Sequence, residues 1–326
     1  MKTRTVAFSM IWLLAFPTVV DAQVPVSVAH FEGGRLAALS LTFDDGLMDQ
    51  YTLAYPELKK RGLRATFAII GSKVGGTIKA TNSPTVLVMT WDQIREMHAN
   101  GFEIASHGYN HKNLKKLDEE ARTAEVEDND SLIEQEVGQR PLTFIYPYNG
   151  KTDEIVAWVE SNHVGSRTFQ KSMGGSSNEQ TMNNYVDGLI KEGKWGVTMT
   201  HGIAEGYDHF DDPTQFYNHL DYIVTLQDKL WVAPLHEVAG YVRERDNATV
   251  IVVNEDDANI VLSVSTTLDP TMFNYPLTLL VETYAKEANQ DGSVLTVKYK
   301  DGQTIVGGVN PNGGTITIHK SSNSPL

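Results

Sequence analysis

The chain has 326 residues, enough for one large domain and a small one. Its 27 Lys and Arg against 41 Asp and Glu give a net charge of −14, which argues against nucleic acid or anionic membranes as partners and would repel a polyanionic glycan. It has no cysteine, so disulfides and thiol chemistry are excluded and any metal must be held by His, Asp or Glu.

Residues 1–22 read as an export signal. Lys2 and Arg4 give a basic start, Ala7 to Val20 is mostly apolar, and Val20-Asp21-Ala22 is a cleavage site before Gln23. The apolar part is short for a membrane-spanning helix. The expectation is a secreted or periplasmic protein with no stable membrane insertion after signal cleavage. Loss of Lys2, Arg4 and Asp21 takes the charge from −14 to −15.

The apolar run Leu36 to Phe43 reads as a buried strand that ends on Asp44-Asp45-Gly46. Tyr51 to Gly62 reads as a helix stopped by its glycine, and Ala65 to Ile70 as a strand. Trp91 to Asn100 is a helix capped by Thr90 with Gln93 three residues on, and Gly101 stops it. Strand Phe102–Ser106, a long acidic helix Leu117–Val137, strand Thr143–Tyr146, helix Thr152–Asn162, strand Val197–Thr200, helix Thr214–Lys229 and strand Trp231–Ala233 follow. This alternation predicts parallel strands with right-handed crossovers, closing as a distorted (β/α) barrel with catalytic groups at the C-terminal strand ends. From about Asp246 short runs with strand character are separated by turn signals such as Asp291-Gly292 and Asp301-Gly302. They predict a small all-β sandwich. The expected division is 1–22 signal, 28–245 barrel and 246–326 β-sandwich. No Trp follows Trp231, so a structural or docking role is expected for the sandwich rather than sugar binding.

An Asp-Asp-Gly alone is an ordinary strand-to-turn junction. A second stretch changes its meaning. Ser106-His107-Gly108-Tyr109-Asn110-His111 follows another apolar run, and two histidines four apart can reach one metal. One Asp with two His leaves coordination positions open for water and substrate, a catalytic layout. A metal on one carboxylate would also hold the other ionised, as a base.

In this order the two stretches resemble the metal-dependent polysaccharide deacetylases, the NodB homology domain of carbohydrate esterase family four. Ala38 to Gly46, Ala54-Tyr55-Pro56-Glu57-Leu58 and Ala65-Thr66-Phe67 follow the family's opening, and the resemblance covers about residues 28–245. It implies Asp45, His107 and His111 as ligands of a divalent metal, zinc first, with cobalt, nickel or manganese also suited, and Asp44 as general base. Val197 to Ile203 matches the family's late Leu-x-His motif, which makes His201 the general acid and Met199 a lining residue for the acetate methyl. Pro147-Tyr148 matches the Arg-x-Pro-Tyr motif, whose Tyr backbone N–H stabilises the oxyanion. The family's Arg, which orients the base, falls on Ile145, so Arg167 is the candidate replacement, with a structural ion pair as the other reading. The motif that supplies an Asp and a Trp to the acid His has no clean match; Asp187 and Trp195 are the candidates, Trp195 as a groove residue. The loops 70–88 and 170–184 are expected to shape the groove. The implied partner is an acetylated glycan, attacked at an N-acetyl group. An O-acetyl esterase on xylan-like glycans and a non-catalytic glycan-binding protein on the same fold remain the alternatives.

Overall fold

The computed structural model describes residues 23–80 and 83–321, and the expected export signal at 1–22 lies outside them. One sheet runs in the order 165–167, 143–145, 103–106, 66–69, 37–43, 195–200, 171–172, with 230–232 also on 37–43. All of these strands pair in parallel. The central strand Ala37–Phe43 is buried at every residue. That double-sided burial is why its sequence is a continuous apolar run rather than an alternating one. Trp195–Thr200 follows one of its edges from Ala38 to Phe43. The other edge is shared, with Leu230–Val232 on Ala37 to Leu39 and Thr66 and Phe67 on Thr42 and Phe43. The end strands Gly165–Arg167 and Lys171–Ser172 do not pair with each other, so the sheet is the expected distorted barrel, left open on one side.

Local chemistry sets the helix ends. Thr90 and Gln93 form the expected reciprocal capping box on helix Trp91–Ala99. The acidic helix Glu119–Val137 is capped by Asp118 and stopped by Gly138 at φ 86°. The helix expected at 51–62 differs. It begins as a π-turn at Gln50–Ala54 and becomes α-helical only at Tyr55–Lys60. The π-turn holds Gln50, whose Nε2–H donates to the carbonyls of Asp44 at 2.6 Å and His201 at 2.9 Å. One side chain thus ties the turns that follow Phe43 and Thr200 together, a use typical of single π-turns. Helices Glu179–Glu192 and Leu235–Asn247 and the hairpin Thr77–Lys79/Thr85–Leu87 had no assigned element in the sequence reading. Among the described residues no helix is long and apolar enough to cross a membrane.

Beyond Asn247 the chain builds two antiparallel sheets. One has five strands, from Thr249–Glu255 to Thr315–Lys320. The other has four, and Val26–Val28 from the start of the chain is its edge strand, paired with Leu277–Val281. Their inward residues, including Ile260, Leu262, Leu279, Val306 and Ile318, form one core with Tyr241 of helix Leu235–Asn247. Both expected Asp-Gly turns have positive φ at both residues, 50° and 80° at 291–292 and 52° and 84° at 301–302, as the mirror-image hairpin turn requires.

Candidate active site

The C-terminal ends of the parallel strands surround a cleft of about 620 Å³. Asp44 and Asp45 leave the end of strand Ala37–Phe43, and Asp45 takes φ 73°, with Gly46 at 69°. That left-handed step swings the second carboxylate into the cleft beside the first, which a continuing strand would have pointed the other way. His111 at φ 59° and Tyr148 at φ 56° are turned in the same manner. Non-glycine residues rarely hold this conformation, and its concentration here marks a site fixed by its surroundings.

Asp45, His107 and His111 come together as expected, with one ligand atom from each within 4.8 Å of the others. Asp45 Oδ1 lies 3.2 Å from His107 Nε2 and 3.4 Å from His111 Nε2. It is buried and receives no hydrogen bond. A buried carboxylate oxygen facing two imidazole nitrogens fits a divalent cation. The second contacts are those a metal site needs. His107 Nδ1 is 2.7 Å from the carbonyl of Ile145, which fixes the tautomer that frees Nε2. Burial opposes charge on His107, but its close contact with Asp45 and both carboxylate charges raise its pKa above the ordinary value. Burial, then the His107 charge, brings His111 down to about 4, so its imidazole is neutral at pH 7, the form that can coordinate a cation.

Asp44 is gripped by Arg167, Nη1 to Oδ1 at 2.6 Å and Nη2 to Oδ2 at 2.5 Å. Arg167 is 2% exposed and also donates to Thr42 Oγ1 at 2.7 Å. Burial alone would raise the Asp44 pKa, but the Arg167 charge and hydrogen bonds outweigh it and hold the carboxyl below its ordinary range. The register gives the reason that Arg167 can stand in. Ile145 pairs with Arg167 on the neighbouring strand, so the guanidinium enters one strand over from the position where the family carries it.

His201 also faces the cleft, its Nε2 4.0 Å from Asp45 Oδ2. Its Nδ1 lies 3.4 Å from Asp208. Asp208, not Asp187, is the carboxylate beside this ring; Asp187 accepts from Tyr222 at 2.6 Å on the exposed face of helix Glu179–Glu192. Met199 and Tyr148 line the cleft, and the Tyr148 ring packs 4.6 Å from that of His111. Pro147 is buried at the start of the turn that presents Tyr148. Trp195 does not line the cleft. It lies at the start of strand Trp195–Thr200, the far end from His201, packed with Val197 and Leu235, and its indole N–H donates to Ser40 Oγ at 3.2 Å. Of the two loops expected to shape the groove, 70–88 supplies Lys73, Thr77, Ile78 and Lys79, whereas no residue of 170–184 lines it.

The sequence reading missed the loop after His201. Asp49 Oδ2 accepts three backbone N–H groups, from Ile203 at 2.6 Å, Ala204 at 3.0 Å and Glu205 at 3.1 Å. This anchor folds the loop back so that the Tyr207 hydroxyl donates to Asp45 Oδ2. Burial first, then the Asp45 charge, pushes the Tyr207 pKa far up, so the phenol stays protonated and a donor. The bond turns the other oxygen, Oδ1, toward the two histidines. A Tyr-Asp pair six and seven residues past a strand-end His carries no pattern of its own in the sequence.

The fold sets a candidate metal site on the C-terminal face of an open barrel, and comparison with known proteins shows what that barrel is similar to. Residues 35–165 match the model of the family described as polysaccharide deacetylase. That stretch carries the polysaccharide deacetylase domain with the NodB fold. It is 23% identical over 292 residues to a gellan lyase of a Bacillus species, a match covering 78% of this chain and 11% of that protein. It is 32% identical over 120 residues to the polysaccharide-deacetylase-like YxkH of Bacillus subtilis strain 168, covering 37% of this chain and 40% of the relative. The chain thus spans less than half the length of these curated relatives. A crystal structure of a polysaccharide-deacetylase-like protein from Mycobacterium smegmatis shares the fold with a TM-score of 0.55, at 14% identity, over 68% of this chain and 94% of the other.

Proposed function

We propose that the protein is an exported, metal-dependent deacetylase that removes N-acetyl groups from amino-sugar poly- or oligosaccharides. The observation that carries this is the buried, unbonded Asp45 Oδ1 between His107 and His111, beside an Asp44 held ionised by Arg167. When bound there, a divalent cation, zinc first, supplies Lewis acidity and lowers the pKa of a water it holds. Asp44 accepts the proton of the attacking water. The backbone N–H of Tyr148 donates to the oxygen on which negative charge develops. His201, steadied by Asp208, gives its proton to the departing nitrogen, and Met199 bounds the space for the acetate methyl. The products are acetate and a free amino sugar. The basic start and apolar run of residues 1–22 support export.

The decisive assay is acetate release from chitin oligosaccharides, peptidoglycan and acetylxylan, before and after chelation and with zinc or cobalt restored. Release from an amide substrate that stops with chelator and returns with metal is the expected result. In Asp44→Asn it falls by about 10²-fold or more. Unchanged release in that variant would overturn the mechanism. Release from acetylxylan alone would move the assignment to an O-acetyl esterase, which needs the same site. A retired, binding-only site drew its support from the absent Arg at Ile145. The Arg167–Asp44 pair removes that support.

A further inference from the structure

The charges of the cleft do not follow those of the chain. Although the protein carries −14 overall, its two cleft carboxylates are both answered from within the site. Asp44 is paired on both oxygens by Arg167, and Asp45 faces His107, His111 and Tyr207. Two further charges line the same cleft and are not answered. Lys73 follows strand Thr66–Ile69, and Lys79 ends the hairpin strand Thr77–Lys79. Both are exposed, and neither forms an ion pair among the described residues. A third lysine stands behind the wall. The Lys151 ammonium is 5.8 Å from the ring of Tyr146, itself a cleft residue. Burial and the Arg167 charge depress the Lys151 pKa, as expected in a locally positive field. Asp208 stands beside His201 at one side of the cleft. On the side formed by Lys73 and Lys79, what an incoming sugar meets is cationic, and acids farther off than a Debye length of about 8–10 Å are screened.

We propose that the cleft selects an acetylated glycan bearing a carboxylate on the acetylated sugar or its neighbour, with Lys73 and Lys79 as the residues that hold that carboxylate. The proposal rests on the deacetylase reading above and adds the charge of its substrate. It reverses the inference from net charge, under which a polyanionic glycan is repelled. An ammonium suits this task as a point charge on a flexible stem, able to meet a carboxylate at more than one subsite. The other cleft-wall residues from the same segment, Ile70, Thr77, Ile78 and Ala80, are uncharged.

The test uses a matched pair: an N-acetylated oligosaccharide of alternating hexosamine and hexuronate, and the same oligosaccharide with its carboxyl groups reduced to alcohols. An equivalent pair from acetylated glucuronoxylan covers the O-acetyl case. The metal-loaded full chain is expected to favour the acid form by about tenfold or more in kcat/KM at low ionic strength, mostly through KM, with the preference shrinking as salt is raised. In K73Q/K79Q the ratio of acid to reduced form falls toward one. The ratio is measured within one preparation, so it does not depend on how much of the variant is folded. Equal rates on both forms, or preference for the reduced form, would overturn the proposal and leave the deacetylase reading standing. If no acetate is released from any substrate, the deacetylase reading fails, and calorimetric titration of the same pair decides this one. Tighter binding of the acid form, lost in K73Q/K79Q, sustains it; equal binding overturns it.

Discussion

The two ends of the barrel each bury a carboxylate beside histidine, and they do opposite things with it. At the N-terminal end Glu103 begins strand Glu103–Ser106. Its Oε1 accepts from Thr143 at 2.6 Å. Its Oε2 accepts from Thr66 at 2.7 Å and from the His236 backbone N–H at 3.0 Å. The His236 ring adds a contact at 3.3 Å. At the C-terminal end Asp45 receives Tyr207 on Oδ2 and leaves Oδ1 without a donor, facing two imidazoles. Residue types and burial are nearly matched. A saturated carboxylate locks strands and a helix together, whereas an unsaturated one is poised to take a ligand. The functional signal is therefore what a buried group leaves unpaired, not that it is buried or acidic.

That contrast can be broken most directly at Asp45. D45A is expected to abolish tight divalent-ion binding and to lower acetate release by about 10³-fold, while thermal unfolding of the metal-free protein changes little. Calorimetric metal titration and melting curves check the two halves; an unaltered metal affinity would remove Asp45 from the site.

The mirror experiment is E103Q, which is expected to cost about 3 kcal/mol of stability because it leaves His236 without its buried partner. The metal affinity of the folded protein should be unaffected. Its pH dependence sharpens the point. Burial would raise the Glu103 pKa, but the His236 charge and the hydrogen bonds hold it below its ordinary 4.5. Its contribution is therefore complete above about 4.5 and is lost as pH falls through the depressed value. Burial opposes charge on His236, but Glu103 raises its pKa above 6.5, so that term is complete below about 6.5 and fades as pH rises through the raised value. The stability difference between wild type and E103Q should be greatest between those two pH values. Denaturant titrations across pH 3–8 that gave a flat difference would show that the cluster is not ionic.

Y207F asks whether the second oxygen of Asp45 matters to the first. Loss of the hydroxyl should weaken metal affinity about 10- to 100-fold, the usual range for a group that orients a ligand, with little change in melting temperature of the metal-free chain. An unchanged metal affinity would show that the Tyr207 hydroxyl does not orient Asp45 for the metal.

The smallest effect is expected at Trp195. W195F removes the hydrogen bond to Ser40 at the far end of its strand and should cost about 1 kcal/mol. Acetate release should stay within about twofold of wild type. A large loss in kcat/KM would restore Trp195 to the groove.

How much of this could be read without coordinates follows from which interactions are local. The strand that carries Asp44 and Asp45, the strand before His107, the Thr90 capping box and the Asp-Gly turns are all set by neighbours in sequence, and they stand where the pattern of residues puts them. Asp45, His107 and His111 were legible as a metal set because strand ends in a parallel barrel converge on one face. Side chains that work across long separations in sequence were not. Arg167 could be named as a candidate from the sequence, beside the reading as a structural ion pair, but its grip on Asp44, 123 residues away, follows from the register that sets it beside Ile145. Tyr207 and Asp208 reach the site only because Asp49 folds their loop back across more than 150 residues. Trp195 was drawn into the groove as a candidate for a motif that has no clean match in this chain, yet the direction of its strand carries it to the opposite end. By itself the sequence determined which residues could hold a metal and move a proton, because these depend on residue type and local backbone. Which atoms stay unpaired, which guanidinium answers the base, and which charges face the substrate were decided by tertiary structure, since each is a sum over contacts between distant segments.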